Sequence, residues 1–507
     1  MQTRSRTPGK QQRNEDDRTP RERSVVFKTF MTKGWADTPV PGITRSGAAD
    51  WLPARYARLA SQYPGQRLVI PAGNLKTRNN DCDYRFRAHS AFAHLTGLGG
   101  EREPDAVVVI DTDREGSSGS ATLFFTPRAG HETSEYYEDA RYGEFWVGPR
   151  PTLADMQLLT GINSADIATL SDALHAPLTG TDTAPEAFQL IRGIDSAIDE
   201  LVDETCVELG INIPDNDLDR ATSVMRMTKD AFEIDQLQTA VDATRLGFER
   251  IIAELPRAAA AETRGERIVE GAFFTQARES GNGLGYDTIA ASGNHANTLH
   301  WIDNDGPVRS GDLILVDAGM EAESLYTADI TRTLPVNGHF SEMQARVYQA
   351  VLDACEAGLA AANQPGALFR DVHEAAVRVL VENLHTWGLL PVSVEEALDP
   401  QLGGHYMRWM PHGTSHHLGL DVHDCARAKR ELYRDGKLTP GMCFTIEPGL
   451  YFKADDLLIP PEYRGIGVRI EDDVVIDPDG SCRRLSEDIP RTIAEVESWI
   501  ARVQRQE

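Results

Sequence analysis

Apolar side chains in the first half of the chain occur in short runs that are typical of buried strands. Three runs rich in β-branched and aromatic residues, at 67–71, 106–110 and 121–125, are bounded by Gly, Pro and Asp. Helical stretches lie between and after these runs, including one at 187–209. The alternation predicts an α/β domain whose sheet contains these runs.

A different pattern of apolar residues begins near Met227, in the second half of the chain. Thr228 is the predicted N-cap of a long amphipathic helix. The apolar positions of this helix recur at mostly helical spacing: Phe232, Ile234, Leu237, Val241, Leu246, Ile251 and Leu255. Further helices are predicted at 268–277, 341–363 and 368–386, and short strands at 286–291, 443–446 and 467–476. This pattern predicts a second domain in which helices cover a sheet.

Two aspartates lie on predicted adjacent strands at 311–335 (GDLILVDAGMEAESLYTADITRTLP). Asp317 ends an apolar run, and Asp329 precedes the β-branched pair Ile330 and Thr331. A buried carboxylate loses solvation free energy unless a cation compensates it, so a metal ion is one explanation. The other explanation is that Gly319 marks a turn and both acids lie at solvated strand ends.

A dense group of histidines follows at 405–424 (HYMRWMPHGTSHHLGLDVHD). His412 and His416 are four residues apart, Glu447 follows one predicted strand, and Glu471 lies in another. Each residue alone is compatible with a satisfied polar group of a core. Together, four carboxylates and a histidine suit divalent ions such as manganese, and two such ions could activate a shared water. The set therefore indicates a metal-dependent hydrolase.

The composition of the chain limits the kinds of molecule that we expect it to bind. The chain has 507 residues, which favours two domains, and its 41% hydrophobic and 25% charged residues indicate a globular protein. A net charge of -27 would repel a phosphate backbone, so we do not expect nucleic acid as a partner. The sequence contains no apolar run of about 18 residues, so we expect no membrane segment.

The N-terminal segment and the cysteines bear on the compartment. Residues 1–24 are rich in Arg, Gln, Asp and Pro, which predicts a disordered tail and not a secretory signal. The six cysteines include no CxxC pair, which is typical of reduced thiols. We therefore expect a cytoplasmic protein whose metal ligands are oxygen and nitrogen atoms.

Five motifs occur in a recognisable order: DAG, TADITRT, HGTSHHLGLDVHD, TIEPGLYF and GVRIEDDVV. Their order resembles the metal-ligand pattern of the pita-bread metallopeptidases, in particular the aminopeptidase P group. The run at 81–97 (DCDYRFRAHSAFAHLTG) resembles the N-terminal domain of that group. The resemblance implies an α+β protein with a pita-bread catalytic domain, a curved antiparallel sheet with outer helices, at 226–507. An α/β creatinase/prolidase-type N-terminal domain would precede it at 25–225.

The resemblance also implies a two-metal centre, with Mn²⁺ expected and Co²⁺ or Zn²⁺ as alternatives. Its ligands would be Asp317, Asp329, His416, Glu447 and Glu471. Asp329 and Glu471 would bridge both ions, Asp317 would serve one ion, and His416 and Glu447 the other. His417 would then be a neighbour and not a ligand.

Five further residues match positions around the substrate in that group: Tyr286, His300, His412, His423 and Arg469. The implied activity is release of the N-terminal residue from peptides with proline in second position, by attack of a dimetal-bound hydroxide. Glu447 would be the proton shuttle, and His300 and His423 would hydrogen-bond the developing oxyanion. The resemblance also implies a homodimer or homotetramer.

Other functions within the same fold remain open. A prolidase (Xaa-Pro dipeptidase) shares the metal set, although the HYMRWMPHG run favours the aminopeptidase. A creatinase lacks the metal set, and non-catalytic pita-bread modules that bind peptides have generally lost ligands. One departure concerns Asp317 and Asp329, which are twelve positions apart, one more than is usual in the group. We expect the extra residue in the connecting turn around 321–324.

Overall fold

The computed structural model describes residues 24–36, 39–40, 42–80, 82–100 and 102–505, in two compact units that divide between Thr222 and Ser223. The predicted tail at 1–24 lies outside the described residues except for Ser24, and so does Asp81 of the N-terminal motif. The predicted domain boundary at 225/226 and the observed division both fall within one helix, Asp217–Arg226.

The first unit is built on a mixed sheet. Its described strands are β1 (Arg67–Pro71), β2 (Thr77–Asn79), β3 (Cys82–Asp83), β4 (Val107–Thr112), β5 (Gly119–Phe125), β6 (Asn163–Asp166) and β7 (Phe188–Leu190). The sheet has the order β6-β5-β4-β1-β7, antiparallel in the middle and parallel at both outer pairs, while β2 and β3 form a separate hairpin. The predicted strands at 67–71, 106–110 and 121–125 correspond to β1, β4 and β5.

Helices precede, separate and follow these strands along the chain. They are α1 (Val25–Met31), α2 (Leu52–Ala60), α3 (Ser90–Thr96), α4 (Glu135–Glu138), α5 (Glu144–Val147), α6 (Leu153–Thr160), α7 (Leu170–His175), α8 (Ser196–Leu209) and α9 (Asp217–Arg226). The prediction of helix throughout 187–209 is wrong for its first part. The chain forms β7, turns at Gly193 with φ +78°, and enters α8 after Asp195, whose carboxylate accepts hydrogen bonds from the first backbone N–H groups of the helix.

The second unit contains longer helices. They are α10 (Ala231–Ala260), α11 (Gly265–Ser280), α12 (Glu342–Ala362), α13 (Phe369–Thr386), α14 (Val394–Leu398), α15 (Arg430–Tyr433) and α16 (Ile493–Val503). The N-cap of α10 is Asp230 and not the predicted Thr228, because Asp230 and Glu233 exchange side-chain to backbone hydrogen bonds in a capping box. Among the described residues, no helix combines the length and hydropathy that crossing a membrane requires.

The strands of the second unit form small antiparallel sheets. They are β8 (Gly283–Leu284), β9 (Ile289–Ser292), β10 (Leu313–Ala318), β11 (Met320–Glu321), β12 (Ile330–Pro335), β13 (Cys443–Ile446), β14 (Gly449–Tyr451), β15 (Gly467–Arg469), β16 (Asp472–Ile476) and β17 (Cys482–Arg484). Two three-stranded sheets have the orders β12-β10-β9 and β13-β16-β17, and two-stranded pairs join β8 to β11 and β14 to β15. The predicted single strand at 467–476 is therefore two strands with different partners, and Glu471 lies at the break between them.

A buried ion cluster connects the start of the second unit to the histidine-rich segment. Asp424 Oδ1 lies 3.1 Å from Arg226 Nε, and Asp424 Oδ2 lies 3.7 Å from Lys229 Nζ. The Asp424 side chain is 1% exposed and that of Lys229 is fully buried. Burial opposes ionisation of Asp424, but the charges of Arg226 and Lys229 outweigh it and lower the pKa of this carboxyl below its usual value.

We expect Asp424→Asn to lower the free energy of unfolding by about 3–5 kcal/mol, because it removes a carboxylate that is buried against two cations, Arg226 and Lys229. Urea titration at pH 7 measures this difference, and Asp455→Asn, at an exposed position, is the matched control. Since the folded-state pKa is lowered, the contribution is fully present above the ordinary Asp pKa of about 4 and declines as pH falls below it. Equal stability of the wild type and the Asp424 variant at pH 7 would contradict this account.

Candidate metal centre

The acidic side chains lie where the two three-stranded sheets of the second unit meet. Asp317 of β10 lies opposite Thr331 of β12, and Asp329 immediately precedes β12. Glu471 precedes β16, and its backbone N–H donates to the Thr331 carbonyl at 3.1 Å. The Thr331 hydroxyl in turn donates to Glu471 Oε2 at 2.7 Å. These bonds hold Asp329 and Glu471 side by side although they are distant in sequence.

His416 lies beside three of the acids. Its Nε2 atom lies 3.2 Å from Asp329 Oδ2, 3.7 Å from Glu447 Oε1 and 3.9 Å from Glu471 Oε1. The backbone of His416 pairs with Thr445 of β13, the strand that leads directly into Glu447. One ligand atom each from Asp329, His416 and Glu471 can be chosen within 4.8 Å of one another, a spacing that could hold a metal ion.

Asp317 is held at one side of this group by two partners. Arg469 Nη2 donates to Asp317 Oδ2 at 2.6 Å. The Tyr286 hydroxyl lies 2.6 Å from Asp317 Oδ1 and 2.5 Å from Asp329 Oδ1. The tyrosine therefore ties two of the acids together, while the arginine balances part of their charge.

The pKa values of the acids and of His416 differ from their ordinary values. Burial, reinforced by the neighbouring carboxylates, raises the pKa of Glu471 well above its ordinary value, and burial with Asp317 raises that of Asp329. Burial raises the pKa of Glu447 to about 7. For His416, burial is outweighed by the hydrogen bond and charge of Asp329, which raise its pKa to about 9. Protons therefore balance the charge when no cation is bound, and a divalent ion would displace them.

The ligand atoms fit a hard or borderline divalent ion. The cluster offers carboxylate oxygens and one imidazole nitrogen and contains no thiolate. The six cysteines form no disulfide, and none lines the cavity at the cluster. This chemistry excludes a thiolate site and agrees with the expectation of oxygen and nitrogen ligands.

A cavity of about 330 Å³ opens onto the cluster. It is lined by nine of the ten residues predicted for the site: His300, Asp317, Asp329, His412, His416, His423, Glu447, Arg469 and Glu471. Tyr286, the tenth, does not line the cavity but contacts Asp317 and Asp329. His417, predicted to be a neighbour only, is buried and stacks on Phe369 with ring centroids 4.6 Å apart.

The other histidines of the cavity have different surroundings. His412 Nε2 lies 2.7 Å from the Tyr451 hydroxyl, and burial followed by the charge of Arg469 lowers its pKa to about 4. The ring of His423 meets that of His416 edge-on at 4.4 Å, and burial lowers the pKa of His423. Both side chains are therefore neutral at pH 7, when each can donate one hydrogen bond and accept another.

Three residues around the site are not among those predicted from the sequence. Thr331 bonds Glu471, Asp473 accepts a hydrogen bond from the Asp329 backbone N–H, and Tyr451 bonds His412. Strand alternation offered a signal for two of them, because each lies two positions after a predicted ligand and so on the same face. The cavity is also lined by Leu299, Gly413, Ser415, Tyr433 and Arg434, for which we find no comparable signal.

Two family models match the chain. The model described as metallopeptidase family M24 matches residues 235–478, and the model described as aminopeptidase P, N-terminal domain, matches residues 53–184. The predicted ligands and site residues all lie within the first of these ranges.

Curated relatives match over most of the chain. Xaa-Pro aminopeptidase 1 of Streptomyces coelicolor is 48% identical over 93% of this chain and 91% of its own length. Xaa-Pro aminopeptidase of Escherichia coli is 31% identical over 89% of this chain and 97% of its own length.

Solved structures are similar to this chain over most of its length. A Glu-to-Ala variant of Escherichia coli aminopeptidase P in complex with substrate has a TM-score of 0.76 at 28% identity, covering 91% of this chain and 100% of its own. The aminopeptidase PepP of Pseudomonas aeruginosa has a TM-score of 0.76 at 29% identity, with the same coverage.

We expect a divalent cation to stabilise the folded protein, because it relieves the repulsion among the acids. At a free concentration 100 times the dissociation constant, the gain in free energy of unfolding is about 2.7 kcal/mol. Denaturation of chelator-treated protein with and without added Mn²⁺ measures it. We expect His416→Ala to lose most of this gain, whereas His339→Ala, which removes an exposed histidine, retains it. An equal gain in both variants would contradict a site at His416.

Proposed function

The chain belongs to metallopeptidase family M24, as an Xaa-Pro aminopeptidase, and we propose that it cleaves the bond before a proline in second position at the cavity lined by His416 and Glu447. The observation that carries the proposal is that one cavity gathers four acids and four histidines around a possible metal position. The identity of 48% with a curated Xaa-Pro aminopeptidase, over nearly the whole chain, supports the same activity.

We propose that two divalent ions occupy the cluster. Their ligands would be Asp317, Asp329, His416, Glu447 and Glu471, with Asp329 and Glu471 shared. The position of Asp329 supports a shared role, because one of its oxygens contacts the Tyr286 hydroxyl and the other lies by His416. The absence of thiolates from the cavity supports Mn²⁺, with Co²⁺ and Zn²⁺ as alternatives.

When bound, the ions would lower the pKa of a water molecule and polarise the carbonyl of the scissile bond. Glu447 would accept the proton of the attacking water and deliver it to the departing proline nitrogen. The nitrogen requires that proton, since an unprotonated amide nitrogen is a poor leaving group.

The histidines around the cavity would recognise the substrate. His300 and His423 lie on its wall and would donate hydrogen bonds to the oxygen that becomes negative during attack. His412, neutral at pH 7 and bonded to Tyr451, would contact the proline side of the substrate. These roles leave the acids free to hold the ions.

The state of assembly and the compartment are further proposals. We propose a homodimer or homotetramer, on the resemblance to the aminopeptidase P group. We propose a cytoplasmic location, which is supported by six cysteines that form no disulfide, because disulfides are favoured in oxidising compartments.

We expect Glu447→Gln to lower kcat by about 10²–10⁴-fold, because glutamine cannot carry the proton. Hydrolysis of an Xaa-Pro-Xaa peptide by enzyme of measured metal content tests this. Glu462→Gln, at an exposed position, is the control and should retain activity. A Glu447 variant that keeps its metal and works at nearly the wild-type rate would remove Glu447 from this role.

Substrate length separates the aminopeptidase from a prolidase. We expect an Xaa-Pro-Xaa peptide to be cleaved with a higher kcat/KM than the matching Xaa-Pro dipeptide, in protein stripped of metal and restored with Mn²⁺, Co²⁺ or Zn²⁺ in turn. Preference for the dipeptide would favour a prolidase. A protein that binds the peptide without hydrolysing it under any metal would instead be a peptide-binding module.

A further inference from the structure

The loop between β9 and β10 carries His300 into the cavity. Leu299 and His300, near its middle, both line the cavity. The His300 residue is exposed, so its position depends mainly on how the loop backbone is held. The proposed hydrogen bond from this histidine to the developing oxyanion therefore requires a rigid loop.

Glu266, on α11, holds this loop from the side away from solvent. Its side chain is fully buried, and its oxygens accept four N–H hydrogen bonds. Oε1 accepts from Ser292 N at 2.7 Å and from His295 Nδ1 at 2.9 Å. Oε2 accepts from Trp301 Nε1 at 2.9 Å and from Gly306 N at 2.7 Å. The four donors lie between Ser292, the last residue of β9, and Gly306, and one belongs to Trp301, the residue next to His300.

The donors are packed so that they converge on this carboxylate. The rings of His295 and Trp301 stack with centroids 3.9 Å apart. A Cβ atom at position 306 would lie 2.7 Å from Glu266 Oε2 and 2.5 Å from His295 Cε1, so a glycine is required for this approach. Four donors compensate the buried carboxylate for the water that it loses.

A second anchor fixes the same loop near its end. Asn304 is fully buried and has φ +47°, and its side chain accepts from Ala290 N at 2.9 Å and donates to Thr288 O at 2.8 Å. Asn304 ties the loop to the segment around β9, whereas Glu266 ties it to α11. Glu266 is the anchor that reaches both sides of His300, because it bonds His295 and Trp301.

We propose that Glu266 is a positioning residue for the peptidase reaction, acting through the loop to place His300 at the substrate carbonyl. The proposal rests on the function proposed above. Glu266 would affect turnover only through the position of His300. A displacement of a catalytic group by about 1 Å can cost 10²-fold in rate.

A double-mutant cycle with Glu266→Gln and His300→Ala tests this assignment. Glutamine keeps the size of the side chain but turns an NH₂ group toward two of the N–H donors. We expect Glu266→Gln to lower kcat/KM for an Xaa-Pro-Xaa peptide by about 10–100-fold, mainly through kcat, at unchanged metal content. In the His300→Ala background, the same change should cost less than about threefold. Glu270→Gln, one turn further along α11 and only partly buried, is the matched control.

Hydrogen exchange supplies a readout that does not depend on activity. We expect Glu266→Gln to speed amide exchange at 293–306 and to leave 311–335 unchanged. Unchanged exchange at 293–306, or an equal loss of kcat/KM in both backgrounds, would overturn the proposal. A wild type that cleaves no Xaa-Pro-Xaa peptide would refute the proposed function and with it the catalytic part of this assignment, while exchange would still decide whether Glu266 holds the loop.

A milder variant keeps the test decisive if Glu266→Gln does not fold. Trp301→Phe preserves an aromatic ring beside His295 and removes a single N–H donor. We expect a smaller loss of kcat/KM that again disappears in the His300→Ala background. A loss that persists there would count against the proposal.

Discussion

Four carboxylates share one cavity in the second unit, and their mutual repulsion must be balanced for the unit to be stable. Arg469 neutralises part of the charge of Asp317, and the Tyr286 hydroxyl lies between Asp317 and Asp329. His416 faces the remaining acids. Burial raises the pKa of Glu447 to about 7. The groups named above leave an excess of negative charge, so a divalent cation suits the site.

The sheets around the cavity are joined by bonds that also orient the acids. Glu471 is bonded through both its backbone and its carboxylate to Thr331. Behind it, the fully buried Arg332 donates to the Glu471 carbonyl at 2.6 Å and to Asp472 Oδ1 at 2.7 Å. Asp473 accepts from the backbone N–H of Asp329 at 3.0 Å. Because the same bonds join the sheets and hold the acids, the geometry of the cluster is coupled to the packing of the fold.

Neighbouring histidines acquire different chemistry from their surroundings. His416 faces acids and has a pKa of about 9, whereas burial and Arg469 lower the pKa of His412 to about 4. His417, adjacent to His416, is buried against Phe369 and has a pKa of about 3. One histidine-rich segment therefore supplies a cationic histidine beside the acids, a neutral histidine on the cavity wall and a core residue.

The sequence by itself determined the motifs, their order and most of the strands and helices that carry them. Apolar runs and capping residues act over a few positions, so β10, β13 and α13 were predictable. The candidate site was predicted on a family resemblance, and nine of its ten residues line one cavity. The local pattern gave a wrong prediction where pairing with a distant segment decides the secondary structure. At 187–209 a helix was predicted, but Phe188–Leu190 forms a strand because it pairs with β1. Only the tertiary structure joined Glu471 to Thr331 and placed Glu266 beneath the loop of His300. Such contacts depend on packing between distant segments, which the periodicity of one segment does not specify.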